Sequence, residues 1–104
     1  MEQDFLEVLE AIRQIAANFP ALTSILLFGS RGRRDHRRNS DVDLCIFLSN
    51  HNRDDVLDFR IAVDELDTYF SFDILDFQSL QDELLKENIL KEGVVIYEQN
   101  QTPQ

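Results

Sequence analysis

The chain has 104 residues, 43% of them apolar and 10% aromatic, with a formal net charge of -10, which suits one folded domain burying roughly 60–70% of its unfolded surface. Eight Phe argue against the disorder that the charge alone would suggest. The longest apolar run, residues 44–48, falls far short of the roughly 20 residues of a membrane span, and one cysteine cannot close an intrachain disulfide.

The N-terminus, MEQDFLEVLE, is acidic and unlike a secretory signal, so the expectation is a soluble cytoplasmic domain. Phe5, Val8/Leu9, Ile12, Ile15/Ala16 and Phe19 recur at helical spacing, and Pro20 ends that helix. Residues 24–28 form an almost wholly apolar strand, broken by Gly29-Ser30. Over residues 41–48 the pattern alternates: Val42, Leu44, Ile46 and Leu48 take one face, Asp41, Asp43, Cys45 and Phe47 the other. Val56, Phe59, Val63, Leu66 and Phe70 predict a helix over 54–69, and residues 70–77 a third strand. Ser79-Leu80-Gln81-Asp82 resembles a capping box opening a helix through Glu92, with Gly93 in the left-handed position after it. A last strand covers 94–97. The order, with a short helix expected after Gly29-Ser30, predicts a small α/β (α+β) domain, helices flanking a mixed sheet. The domain spans residues 1–98, and 99–104 form a loose tail.

Arg31, Arg33, Arg34, Arg37 and Arg38 are half of the ten basic residues. The rest of the chain is strongly acidic, which opposes general binding to a nucleic-acid backbone and makes this stretch a local anion site. A glycine at a strand's end leaves backbone N–H groups pointing outward, and a following serine adds a hydroxyl donor. A plain turn would account for Gly29-Ser30 alone. On a strand, Asp41 and Asp43 point the same way, about 6–7 Å apart at Cα, which suits a shared hard cation such as Mg2+. A solvated strand face would account for two such acids equally well. Asp73 sits inside the apolar FSFDILDF stretch, where β propensity and desolvation both disfavour it. Two like charges about 6 Å apart repel by roughly 3 kcal/mol at an effective dielectric of 20, so three converging acids call for a cation. Asp76, near the strand end, is read as a boundary residue. If these pieces meet, strands one and two run oppositely, and strands two and three run the same way.

The stretch GSRGRRDHRRNSDVDL, followed by the aspartate of FDILD, resembles the Gly-Ser…Asp-x-Asp signature of the DNA polymerase β-like nucleotidyltransferase superfamily. The short chain is similar to its minimal members, the minimal nucleotidyltransferase antitoxins paired with HEPN toxins. The resemblance covers the chain from first strand to last helix. It implies that Gly29, Ser30 and Arg31 hold the triphosphate, and that Asp41, Asp43 and Asp73 hold two Mg2+ ions, with Asp73 nearest the attacking hydroxyl. The reaction it implies is transfer of AMP from ATP to a tyrosine hydroxyl of the cognate HEPN toxin, with pyrophosphate released. Where the family often reads Gly-Ser-Arg-Ala-Arg-Gly, this chain carries Gly32 and Arg34. It also lacks a second domain to grip the base, so a partner or second copy would complete that side.

Two other classes compete: an antitoxin that neutralises by binding alone, and a small nucleic-acid-binding module using the arginines. Cys45 is expected in the core, His36 and His51 in solvated loops, and Tyr69 and Tyr97 as core aromatics or modification sites. The acidic helix surfaces are solvated faces that could meet a basic toxin.

Overall fold

The computed structural model describes residues 5–29, 41–50, 52–68 and 70–99. Helix α1 (Phe5–Ala16) buries Val8, Leu9, Ile12 and Ala16, one stripe of its surface. Strands β1 (Leu22–Phe28) and β2 (Asp41–Leu48) follow, then helix α2 (Arg53–Asp64) and strand β3 (Ser71–Asp76). A 3-10 turn (Phe77–Ser79) leads to helix α3 (Glu83–Glu92) and strand β4 (Val94–Glu98). The sheet order is β3-β2-β1-β4. β1 runs antiparallel to β2 and β4, while β2 and β3 are parallel, as the positions of the predicted site residues require. Two parallel strands need a crossover, and α2 supplies it.

Alternation along β2 divides the core in two. Val42, Leu44, Ile46 and Leu48 join α1 and α2 through Val8, Ile12, Phe59 and Val63. Cys45 on the opposite face meets Leu26 and α3's Ile89, with Phe28, Phe47, Leu75 and Phe77 around them. Cys45 is therefore core, as expected, and Tyr97 packs half-buried against the larger cluster. Both edge strands have an outward carbonyl occupied by a helix arginine: Arg13 Nε donates to Ile96 O, and Arg60 Nη2 to Ile74 O at 2.7 Å. Among the described residues, no helix is long and apolar enough to cross a membrane.

Several element ends differ from those the sequence suggests. α1 stops at Ala16 because Phe19 N–H already turns back to Ala16 O, four residues ahead of Pro20's ring. α2 stops at Asp64, not 69: the chain must turn there to enter β3 parallel to β2, and the Thr68 hydroxyl accepts from Phe70 N–H in that turn. The cap of α3 is Asp82, whose carboxylate accepts from Leu84 and Leu85 N–H, while Ser79 closes the 3-10 turn instead. Gly93 is extended (φ -67°, ψ 149°), not left-handed. It is needed for room, since a Cβ there would lie 2.5 Å from Ile89 O and 3.2 Å from Leu26 Cβ. Gln99 is tied back to the fold, its N–H and amide donating to Thr23 O and Pro20 O at 2.7 Å each. The short helix expected after Gly29-Ser30 lies outside the described residues, as do His36, His51 and Tyr69.

Candidate functional site

Phe28, the last residue of β1, pairs with Asp43 across the antiparallel ladder. The chain then turns at Gly29 with φ +77°, a conformation L side chains rarely adopt. A Cβ built there would stand 2.3 Å from Asp43 Oδ2 and 3.2 Å from Asp43 Cγ. Glycine lets the turn's backbone lie directly against the half-buried Asp43 carboxylate.

On its other side, Asp43 pairs in register with Asp73 of β3. Neighbouring strands lie about 4.8 Å apart, and paired residues of a parallel ladder project to the same face. The two carboxylates therefore share one face of the sheet, side by side. Asp41 opens β2 two residues earlier, its backbone paired with Ser71. Ser30 and Arg31 lie outside the described residues, with the other four arginines of that stretch. Among the described residues no group of three or more metal-ligating side chains occurs; the described carboxylates of the site are Asp43 and Asp73.

One expectation needs correction. The apolar neighbours of Asp73 suggested a costly buried position, yet Asp73 is exposed. β3 is an edge strand, and α3 covers that face farther along, over Cys45 and Leu26. Desolvation therefore does not weigh against an aspartate at position 73. Asp76 is the boundary residue expected, its carboxylate accepting from Gln78 N–H at 3.2 Å and the Ser79 hydroxyl at 2.9 Å.

A pocket of about 230 Å3 opens between the end of β1 and α3, lined by Phe28, Gly29, Leu85, Asn88, Ile89 and Glu92. It is smaller than the roughly 300–1,000 Å3 of a drug-sized site, about the room for one ring system. Sequence reasoning treated α3's polar positions only as an acidic surface. Asn88 and Glu92, one turn apart beside the apolar pair Leu85 and Ile89, were the available signal. The whole arrangement is an anion-compatible turn at one strand end, two carboxylates in register beside it, and a small amphipathic pocket behind. Chemically it can hold a divalent cation between carboxylates and an anionic ligand against the turn.

Comparison with known proteins bears on the family and the fold. The sequence model of the family described as Polymerase beta, Nucleotidyltransferase matches residues 10–102. No curated protein matches significantly. Among solved structures, a chain classed as a minimal nucleotidyltransferase superposes with a TM-score of 0.69 at 25% identity, over 90% of this chain and 95% of that one. A toxin–antitoxin with AMP-PNP gives 0.66 at 20% identity, over 92% and 75%. A tri-AMPylated Shewanella oneidensis HEPN toxin in complex with MNT antitoxin gives 0.64 at 18% identity, over 90% and 72%. With the family's sequence model spanning nearly all of the chain, and with the mixed sheet that sets Asp43 beside Asp73, this chain belongs to the Polymerase beta nucleotidyltransferase family.

Proposed function

We propose that the chain transfers AMP from ATP to a hydroxyl, a tyrosine's, on a HEPN-domain toxin and so acts as its antitoxin. The observation that carries the proposal is the register of Asp43 with Asp73 on parallel strands, beside the positive-φ Gly29 that packs on Asp43. The toxin partner and AMP come from the neighbouring structures, one a tri-AMPylated HEPN toxin with its MNT antitoxin and another holding AMP-PNP.

The donor set fits Mg2+: hard carboxylate oxygens on adjacent strands, the one on Asp73 exposed. Asp41, Asp43 and Asp73 would hold it, and when bound it would neutralise charge on the triphosphate and on the attacking oxygen. Gly29, Ser30 and Arg31 would receive the phosphates through backbone and side-chain donors. The pocket of Phe28, Asn88 and Glu92 would take the sugar or base. Exposed Asp73 would face the acceptor and draw the hydroxyl proton as the oxygen–Pα bond forms and the bond from Pα to the bridging oxygen breaks. Pyrophosphate leaves. The protein's work is then positioning and electrostatics.

ATP labelled at the α-phosphate, incubated with Mg2+, the chain and its purified partner toxin, should label the toxin. Asp41→Asn/Asp43→Asn should abolish labelling and, with it, neutralisation. Label persisting in the double variant would remove the assignment. Neutralisation surviving without label would leave an antitoxin that works by binding alone.

A further inference from the structure

A second groove lies away from Gly29, along the outer edge of β3. It holds about 320 Å3 and is lined by Arg53, Val56, Leu57 and Arg60 of α2 together with Leu75, Asp76, Ser79 and Leu80. Four of these residues are apolar, and two arginines stand against a single acid, Asp76. That is unusual in a chain of net charge -10, because only five basic residues lie outside positions 31–38 and two of them stand here. The aspartate of the groove, Asp76, is occupied by Gln78 N–H and the Ser79 hydroxyl.

Position makes the groove informative. Arg60 Nη2 donates to Ile74 O at 2.7 Å, which fixes its guanidinium at the strand edge one residue beyond Asp73. A guanidinium carries five N–H donors, and the bond to Ile74 O engages one of Arg60's. Arg53 is seven residues earlier on the same helix, hence on the same side, and makes no hydrogen bond or ion pair with the described residues. Leu75, a wall of the groove, follows Asp73 by two strand residues, about 6–7 Å.

We infer that this groove seats the acceptor protein, with Arg53 and Arg60 gripping a carboxylate that lies two or three residues from the hydroxyl to be modified. The inference rests on the transfer reaction proposed above and adds the acceptor's chemistry to it. The groove takes an extended segment with an apolar side chain on Val56, Leu57, Leu75 and Leu80, and an Asp or Glu at the arginines. The strand-edge placement sets that segment's hydroxyl toward Asp73. The paired, planar donors favour a carboxylate held in two-point fashion, which a lysine would reproduce less well.

The test measures transfer of α-labelled AMP to the cognate HEPN-domain toxin, with KM determined separately for toxin and for ATP. Arg53→Glu is the cleanest variant, because Arg53 is exposed and holds no described partner. It should raise the toxin KM about tenfold or more and leave the ATP KM within twofold. Changing the toxin's acids near the labelled tyrosine to Lys should recover transfer by Arg53→Glu while impairing transfer by the wild type. Arg53→Lys should fall between. An unchanged toxin KM, or equal increases in both KM values, overturns the acceptor groove. So does Arg53→Glu losing retardation of a 20-nucleotide RNA while the toxin KM holds, since the groove would then serve nucleic acid. Wild-type chain that transfers no label at all fails the transfer reaction itself, and the groove's role falls with it.

Discussion

At the scale of single residues, the site depends on one contact between backbone and side chain. Gly29 holds φ at +77°, and its missing Cβ is the space occupied by Asp43 Oδ2. Gly29→Ala has to meet both a backbone conformation costing roughly 1–2 kcal/mol and a clash with a carboxylate. The urea unfolding free energy should drop by about 1–2 kcal/mol or more, and transfer should fall further than stability explains, because Asp43 must move. Cys45 supplies a second residue-scale test. Burial, with the Asp76 carboxylate adding to it, pushes the Cys45 thiol up from 9.0 to about 12. The unfolded chain releases this proton near pH 9 while the folded chain keeps it, so between 9 and 12 the folded state binds more protons. Stability therefore falls as pH rises through that window. Urea midpoints measured from pH 8 to 10.5 should decline more steeply for the wild type than for Cys45→Ala.

At the scale of elements, α3 is held to the sheet by Ile89 and started by a single cap. Asp82→Ala removes the acceptor of Leu84 and Leu85 N–H and should cost about 1 kcal/mol in thermal or urea denaturation. The cap also shows where sequence legibility ends. A serine followed three residues later by an acid looked like a capping box, yet Asp82 caps through its own carboxylate three residues further on. Both patterns put an oxygen before an apolar run, and only the packing of Leu80 and Leu85 beside Ile89 chooses between them. Likewise Leu66 and Phe70 continued the helical spacing of α2 although the chain had already turned there. Their burial comes from the connection into β3, which periodicity cannot distinguish from a longer helix. The strands were far more legible: alternation over 41–48 reproduces β2 residue for residue, since each face meets its own apolar cluster.

For the whole molecule, the larger core cluster ties α1, α2 and the sheet into one unit. Phe59 is 1% exposed and meets the edge of Phe19 with ring centroids 5.7 Å apart. Phe59→Ala should lower the unfolding free energy by about 3–5 kcal/mol, read from urea denaturation. The directions of β1, β2 and β3 are legible in the sequence if Gly29, Asp43 and Asp73 are to meet, and the sheet has those directions. What could not be read was the edge position of β3. An aspartate between phenylalanine and isoleucine looks buried in a string of letters, and is exposed on a strand with a neighbour on one side only. The groove beside it was equally hidden, as Arg53 and Arg60 meet residues 75–80 only through the crossover.

That exposure makes Asp73 the most direct test of the account. Asp73→Asn changes a side chain that supports no core contact, so the thermal midpoint should stay within about 2 °C of the wild type. Transfer of α-labelled AMP to the toxin should nevertheless fall by at least about a hundredfold, with nucleotide binding retained. Transfer within threefold of the wild type in a folded Asp73→Asn chain would contradict the pairing of Asp43 and Asp73 as the centre of the reaction.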